Sequence, residues 1–209
     1  MGIRIKFILV IIIFIFSKAE AQTVKFDKKS LAFLKSANEI LVEFDYAGLT
    51  FASDKKSEAA YIEHRKKRLN DYKDSKGDTW LEGYYKSKNE LWQKAFISEL
   101  NQRLHKSKKK VVFSLNAQNP DYKLIVKTQW MYLGYDVGVF DEPAKLKLDF
   151  IFTSIDEPNK ILSTLHVKRA RGVNKNIEND DDFPYLRRVG KAYEKSAFMI
   201  YLVLKRFLN

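Results

Sequence analysis

The segment "AKLKLDFIFTSI", residues 144–155, decides the fold class of this chain. Leucine and phenylalanine occupy the even-numbered positions of residues 146–152. Lys145, Lys147 and Asp149 alternate with them. An alternation with a period of two predicts a β-strand with one buried face and one face in water. The sequence therefore predicts a sheet that is covered mainly on one side.

Two further strand candidates flank this segment. The turn residues "DEPN", 156–159, predict a hairpin that leads to "KILSTLHVKRA", residues 160–170. Upstream, "DYKLIVKTQWMYL", residues 121–133, is another long strand candidate. We expect the three strands to form an antiparallel meander.

The first half of the chain predicts a parallel crossover. Residues 40–46 alternate in polarity and indicate a first strand, and "VVFSL", residues 111–115, indicates a short buried one. Between them, residues 79–106 carry apolar side chains at steps of three and four, and Thr79 and Glu82 have the spacing of a capping box. The apolar positions of this predicted helix are Leu81, Tyr84, Leu91, Ala95 and Leu100, with Trp92 and Phe96 beside them. A strand, a long helix and a strand predict a right-handed parallel connection.

Two other helices are predicted. Ser57 before Glu58 is a plausible start for a charged helix, and Gly77 is expected to end it. Pro184 suits the first turn of a final helix over residues 183–208. The apolar stripe of that helix is Leu186, Val189, Tyr193, Ala197, Ile200, Leu204 and Phe207. Its apolar run is too short to span a bilayer, so we expect it to pack against the sheet.

The predicted fold class is α+β. We expect a mixed sheet of about five strands, with one parallel β-α-β crossover, then the antiparallel meander, and helices mainly on one face. No repeat or linker divides the chain. The predicted organisation is a signal peptide over residues 1–21 and a single α+β domain over residues 22–209.

The N-terminal residues resemble a signal peptide. A basic start, "MGIRIK", precedes an uncharged run over residues 7–17, which is shorter than a membrane span. Ala19 and Ala21 supply the small residues of a cleavage site, so we expect cleavage after Ala21. The alternative is an uncleaved signal anchor. After cleavage the chain would be secreted or periplasmic, and it would not span a membrane.

The chain contains no cysteine and carries a formal net charge of +12. Disulfide bonds and a cysteine-borne lipid anchor are therefore impossible, and a hydrophobic core must supply the stability. The excess of basic residues favours anionic partners. Because an exported protein rarely meets nucleic acid, we expect anionic glycans or lipid head groups rather than nucleic acid.

Few residues indicate catalysis. His64, His105 and His166 lie far apart without the spacing of a metal site. The sequence has no Gly-x-Ser-x-Gly motif, no glycine-rich phosphate loop and no cysteine nucleophile. We therefore expect no enzymatic activity, no cofactor and no metal site.

A dense group of carboxylates occurs in "NIENDDDFP", residues 176–184, which includes Asp180, Asp181 and Asp182. Such oxygens are ligands for hard cations such as Ca²⁺, but the spacing does not match an EF-hand loop. Placement at the N-terminus of the final helix, where negative charge is favourable, is the preferred interpretation. Whether the three aspartates bind a cation stays open.

Two basic clusters are candidates for binding an anionic ligand. The first comprises Arg65, Lys66, Lys67 and Arg68, and the second comprises Lys108, Lys109 and Lys110. Clustered cations can attract an anionic polymer, although charge runs often form only a solvated helix face.

The connection "WMYLGYDVGVFDEPA", residues 130–144, is the preferred candidate for a contact surface. Its aromatic residues are Trp130, Tyr132, Tyr135 and Phe140. Aromatic side chains exposed between rigid strands can contact a peptide or a sugar. The alternative is that they pack under the C-terminal helix.

Three segments carry a resemblance to known proteins. They are "SLAFLKSANEILVEFDYAGLTF", "NPDYKLIVKTQWMYLGYDVGVFDEPAKLKLDFIF" and "NKILSTLHVKRARG". They resemble a family of uncharacterised exported proteins from Gram-negative bacteria, and this resemblance implies a fold but no catalytic residues. More distantly, "NPDYKLIV", "SIDEPNKIL" and the final helix are similar to the N-terminal domain of TolB and the periplasmic domain of CsgG. The sequence departs from that group, because "DEPNK" replaces a Thr-Gly turn and the lipid-bearing cysteine is absent.

These observations lead to one preferred functional hypothesis and two alternatives. The preferred one is a secreted or periplasmic, non-enzymatic accessory protein of the bacterial envelope that acts by contact with an envelope protein. The first alternative is a binder of an anionic polymer or glycan. The second, ranked last, is a hydrolase that uses the carboxylates of residues 180–182 with a bound cation.

Overall fold

The computed structural model describes residues 24–25, 28–52, 54–136, 141–173 and 183–209. The strands are β1 (Val24–Lys25), β2 (Glu39–Asp45), β3 (Thr50–Phe51), β4 (Lys56–Ser57), β5 (Val112–Ser114), β6 (Tyr122–Tyr132), β7 (Tyr135–Asp136), β8 (Asp141–Glu142), β9 (Ala144–Ser154) and β10 (Ile161–Gly172). The α-helices are α1 (Glu58–Tyr72), α2 (Lys76–Lys86), α3 (Trp92–Leu104) and α4 (Pro184–Leu208). A 3-10 helix covers Lys28–Lys35, and a π-helical turn, Ser87–Leu91, joins α2 to α3.

The described strands form one mixed sheet and a small hairpin. The main path of the sheet runs β1, β10, β9, β6, β2, β5, while β3 continues along β6 beyond β2 and also pairs with β4. Strand β2 is parallel to β5 and β6, whereas β6, β9 and β10 are antiparallel neighbours. The predicted α+β class is thereby confirmed, with its parallel crossover and its meander. The strands β7 and β8 pair separately.

The core lies on one side of the sheet, beneath α3 and α4. The even-numbered residues Leu146 to Phe152 of β9 are fully buried there. Phe150 stacks on Phe96 of α3, with ring centroids 5.5 Å apart. Burial of one phenylalanine contributes about 1.5–3 kcal/mol to the free energy of unfolding, so this pair is a substantial part of the core.

The starts of α1 and α4 follow the predicted signals. Ser57 is the N-cap of α1, and its hydroxyl accepts a hydrogen bond from the Ala60 N–H at 3.3 Å. Pro184 occupies the first turn of α4. The predicted stripe of α4 is buried from Leu186 to Leu204, whereas Phe207 is only half-buried. Among the residues that the structure covers, no helix combines the length and apolar character needed to cross a bilayer.

Two predictions about the middle helices are wrong. The helix α1 ends at Tyr72, and Gly77 lies inside the first turn of α2 instead of ending α1. A Cβ atom at Gly77 would overlap the backbone of Lys66, so glycine is required there by the close approach of α1 and α2. Thr79 does not cap α2, because the helix begins three residues earlier and the Thr79 hydroxyl donates to the Ser75 carbonyl at 3.1 Å.

A third prediction, that Leu91 belongs to the buried stripe, is also wrong. Ser87 and Trp92 are successive buried residues of the long helix, with Leu91 48% exposed between them. A π-helical turn contains one residue more than an α-helical turn, so it rotates the downstream stripe by one position. Trp92, Phe96 and Leu100 therefore form the buried face of α3.

Candidate binding surface on the open face of the sheet

The face of β6 and β9 that points away from the core is called the open face here. The described helices pack on the other side of the sheet, where α4 contacts β9 and β10. The side chains on the open face are partly or largely exposed to solvent. They include Lys123, Ile125, Lys127, Trp130 and Tyr132 of β6, and Lys145, Lys147, Asp149 and Ile151 of β9.

A β-bulge at Gln129 decides which aromatic residues reach the open face. Upstream of the bulge, Lys127 faces outward and Thr128 is buried. The register with β9 shifts between Thr128 and Trp130, so two residues of β6 oppose one residue of β9. Trp130 consequently faces outward, whereas uninterrupted alternation would have buried it and exposed Met131. Met131 is fully buried.

Trp130 and Tyr132 together form what is called the aromatic shelf here. Their ring centroids are 6.3 Å apart and their planes differ by 10°. The indole N–H of Trp130 donates to the Ala52 carbonyl at 2.7 Å, which fixes the ring against β3. The shelf is thus a pair of nearly parallel aromatic rings at one end of the open face.

Two lysines border the aromatic shelf. Lys145 Nζ lies 5.3 Å from the centroid of the Tyr132 ring and 2.5 Å from Glu142 Oε1. Burial raises the pKa of Tyr132, and the charge of Glu142 raises it further. Lys147 is the cross-strand partner of Trp130, is exposed, and forms no ion pair with a described carboxylate. An ammonium group is therefore available beside the indole ring.

A row of paired polar residues crosses the open face next to the shelf. Lys127 Nζ lies 2.7 Å from Asp45 Oδ2. Burial would raise the pKa of Asp45, but the hydrogen bonds from Lys127 and from the Ala47 N–H outweigh it and lower the pKa.

The second pair in this row is formed by Asp149 and His166. Asp149 accepts a hydrogen bond from Gln129, and its Oδ1 lies 2.7 Å from His166 Nδ1. His166 is on the polar side of its strand, as the alternation predicted. The polar groups of both pairs are therefore satisfied within the chain itself. Along the strands, this row lies between the shelf and the apolar residues Ile125 and Ile151.

The predicted contact residues are only partly brought together. Trp130 and Tyr132 lie side by side on the face opposite α4, so they do not pack under the C-terminal helix. Tyr135 lies beyond Gly134, whose φ of 76° turns the chain into the β7–β8 hairpin, and is 46% exposed. Phe140 lies outside the described residues, as do Asp180, Asp181 and Asp182.

The two predicted basic clusters do not form one surface. Lys66 lies beside Gly77, and the chain is helical from there to Leu104, just before the second cluster. A helix of that length places the clusters about 40 Å apart.

Several members of these clusters are already engaged within the chain. In the first cluster, the guanidinium of Arg65 lies over the Tyr185 ring at 4.8 Å, and Lys66 and Lys67 each form an ion pair at 2.7 Å with Asp78 and Asp71. In the second, Lys109 Nζ donates to Asn38 at 2.7 Å and Lys110 Nζ donates to the Ser107 carbonyl at 2.8 Å. Arg68 and Lys108 are exposed.

A partly buried polar cluster beside the π-helical turn was not predicted. Glu58 Oε1 accepts hydrogen bonds from Tyr84 at 2.6 Å and from Lys88 at 2.5 Å. Tyr46 donates to the Lys88 carbonyl at 3.2 Å. Tyr84 and Lys88 lie one turn apart on the long helix, whereas Glu58 and Tyr46 are distant in sequence, so no local pattern predicts the cluster.

The tyrosines in this region resist ionisation. Burial is the largest cause that raises the pKa of Tyr46 and Tyr84, and hydrogen bonding to Glu58 raises that of Tyr84 further. Burial also raises the pKa of Tyr193 to about 12. The Tyr193 hydroxyl lies 2.7 Å from the Thr128 hydroxyl, so it links α4 to β6 in the core.

Within the described ranges, no three histidine, aspartate or glutamate side chains converge in a way that could hold a metal ion. Comparison of the chain with protein-family models, with curated proteins and with solved structures gives no match. The resemblance noted from the sequence therefore stays a prediction.

Proposed function

We propose that this protein is an exported, non-enzymatic accessory protein of the bacterial envelope that acts by contact with another protein. The contact surface in this proposal is the aromatic shelf with the adjoining part of the open face. The observation that supports it is the position of Trp130 and Tyr132 on a sheet face that the described helices leave uncovered. Tryptophan and tyrosine dominate the energetics of protein interfaces when a partner covers them.

The geometry around the shelf suits such a contact. Trp130 is held by its hydrogen bond to Ala52, so little side-chain entropy remains to be lost on binding. Lys127 and Asp45 are paired in the free protein, so a partner that covers them meets a neutral pair and not two isolated charges. Lys147 at the rim can pair with a carboxylate of the partner.

A pull-down with matched variants tests this proposal. The full chain carrying Tyr132→Ala should recover much less partner than the natural chain, because the shelf loses one of its two rings. Trp130→Phe keeps an aromatic ring but loses the indole N–H. Its recovery of partner should therefore lie between that of the natural chain and that of Tyr132→Ala. Tyr72→Ala is the control, because Tyr72 is 80% exposed on α1. Equal recovery by Tyr132→Ala and Tyr72→Ala, with both proteins folded by circular dichroism, contradicts the choice of surface.

An anionic polymer or glycan bound through Arg65, Lys66, Lys67, Arg68 and Lys108, Lys109, Lys110 is the alternative proposal. It has weaker support, because the clusters are about 40 Å apart and several of their charges are engaged within the chain. Exposed charges are screened by salt. Retention on a heparin resin that falls steeply with salt and depends on Arg68 and Lys108 would favour this alternative over protein contact.

A further inference from the structure

A groove of about 410 Å³ lies between the long helix α2–α3 and α4, away from the aromatic shelf. It is called the helical groove here. Its floor is formed by Leu91, Trp92, Leu186 and the two glycines Gly83 and Gly190. Lys86, Arg187, Lys191 and Glu194 stand at its rim. The volume is in the range of small-molecule sites.

The π-helical turn creates the apolar wall of this groove. A regular α-helix would turn Leu91 toward the core, as its three- and four-residue spacing predicts. The extra residue of the π-helical turn leaves Leu91 48% exposed at the groove and places Trp92 beneath it. Such turns are rare and occur frequently at functional sites.

Two glycines keep the groove open. A Cβ atom at Gly83 would lie 3.5 Å from Leu186 Cδ1, and one at Gly190 would lie 3.7 Å from Trp92 Cδ1. Both are ordinary van der Waals distances, so the fold could accept the methyl group of an alanine at either position. Glycine is unfavourable inside a helix compared with alanine. The two glycines therefore do not stabilise their helices. Their effect is to leave space between the helices.

The chemistry of the floor favours an alkyl chain over a peptide. The indole N–H of Trp92 already donates to the Leu186 carbonyl at 2.9 Å, and Ser87 is 5% exposed. A peptide lying on this floor would leave its own N–H and C=O groups without partners, which is costly. A hydrocarbon chain needs no hydrogen bonds and gains from leaving water.

The charges at the rim complement an anionic head group. Among the described lining residues, Lys86, Arg187 and Lys191 are cationic and Glu194 is anionic. Arg187 already has an interaction of its own within the chain. Lys191 Nζ lies 2.9 Å from Glu194 Oε2, so the charges of these two side chains neutralise each other. Lys86 is exposed and forms no ion pair with the carboxylates that the structure describes. A carboxylate at the end of an alkyl chain in the groove can reach such an ammonium group.

We propose that the helical groove binds a medium-chain fatty acid, with its alkyl chain against Leu91 and Trp92 and its carboxylate toward Lys86. This ligand site is independent of the aromatic shelf and goes beyond the proposed contact function.

Isothermal titration calorimetry with dodecanoate, below its micelle concentration, tests the site in the full chain. We expect saturable binding of one equivalent. Gly190→Ala should weaken binding moderately, and Gly190→Leu should weaken it by about tenfold or more, because the larger side chain fills the groove. Gly83→Leu fills the groove from the opposite helix and replaces Gly190→Leu if that variant does not fold. Unsaturable heats, or unchanged affinity in a folded leucine variant, overturn the proposal.

The position of the head group is tested by charge. Lys86→Glu and Lys168→Glu change the net charge equally, but only Lys86 lines the groove, and Lys168 is an exposed residue of β10. We expect Lys86→Glu to weaken dodecanoate binding several-fold and to leave dodecanol binding unchanged, while Lys168→Glu changes neither. Equal effects of the two substitutions on dodecanoate overturn the assignment of Lys86.

Discussion

Ser87 and Trp92 are successive buried residues on one face of a continuous helix, although they are five positions apart. The π-helical turn between them accommodates one more residue than an α-helical turn would. Upstream, Trp80, Tyr84 and Ser87 pack into the core; downstream, Trp92 and Phe96 do so. The turn thus keeps both halves of the helix in phase with the same core.

Removal of the extra residue should be tolerated by the fold. Deletion of Glu90, which is exposed, returns the spacing between Ser87 and Trp92 to four and permits a regular α-helix. We expect a melting temperature within about 5 °C of the natural chain or above it. Deletion of Glu82, an exposed residue of the regular helix α2, is the matched control, because it rotates Tyr84 and Ser87 away from the core. Thermal melts followed by circular dichroism that show equal losses for both deletions would argue against this account of the turn.

The sequence pattern was sufficient for elements whose side chains repeat regularly. The strict alternation of β9 predicted its buried and open faces, and the apolar spacing of α4 predicted its stripe. The serine before Glu58 predicted the start of α1, because an N-cap depends on a local hydrogen bond. These signals are local, so they can be read without knowledge of the tertiary contacts.

The errors arose where tertiary contacts determine the backbone. Leu91 has the spacing of a core residue, but the packing of Tyr84 and Trp92 against one core requires the π-helical turn. The outward position of Trp130 depends on the bulge at Gln129, which no alternation reveals in advance. The sequence pattern predicts a helix end at Gly77, whereas this glycine is needed for the contact between α1 and α2. Each of these features depends on a neighbouring element that is distant in sequence.

The ion pair between Glu58 and Lys88 should contribute measurably to stability. The two side chains are 23% and 14% exposed, and Glu58 also accepts a hydrogen bond from Tyr84. Glu58→Gln removes the charge that balances Lys88, so we expect the free energy of unfolding to fall by about 2 kcal/mol. Urea denaturation followed by circular dichroism measures this change.

The matched control is the exposed pair of Lys67 and Asp71, whose side chains are 75% and 60% exposed. Asp71→Asn should change the free energy of unfolding by less than about 0.5 kcal/mol. Indistinguishable effects of Glu58→Gln and Asp71→Asn would show that the partly buried pair has no special role.

The buried tyrosines should make the protein sensitive to alkali. Burial raises the pKa of Tyr193 from 10.0 to about 12 in the folded state. Below pH 10 Tyr193 keeps its proton in both the folded and the unfolded state, so it does not make the free energy of unfolding depend on pH. Between pH 10 and 12 the unfolded state loses the proton first, so the free energy of unfolding falls as the pH rises, at about 1.4 kcal/mol per pH unit for each such tyrosine.

Absorbance at 295 nm together with near-ultraviolet circular dichroism checks this prediction. The Tyr193 hydroxyl should ionise only as the near-ultraviolet signal is lost, because its raised pKa depends on burial in the folded state. Tyr193→Phe should reduce the absorbance change that accompanies the loss of the near-ultraviolet signal. Complete ionisation near pH 10 with an intact near-ultraviolet signal would contradict the burial of these hydroxyl groups.

The proposed export makes a prediction about the N-terminus. If the leader is removed after Ala21, the protein isolated from the cells that make it should begin at Gln22. Intact-mass spectrometry distinguishes this product from the full chain, with Ala21→Leu as a variant that should slow cleavage. A protein that retains Met1 in the membrane fraction would contradict removal of the leader.

The most direct test of the central claim is site-specific photocrosslinking from the aromatic shelf. A photoreactive phenylalanine analogue replaces Tyr132 in one variant and the more exposed control residue Tyr72 in another, in cells that make the protein. The account predicts a discrete protein adduct at position 132 that is lost when Trp130→Ala is added and is absent at position 72. The same adducts at both positions, or an adduct at 132 that persists in Trp130→Ala, would contradict it.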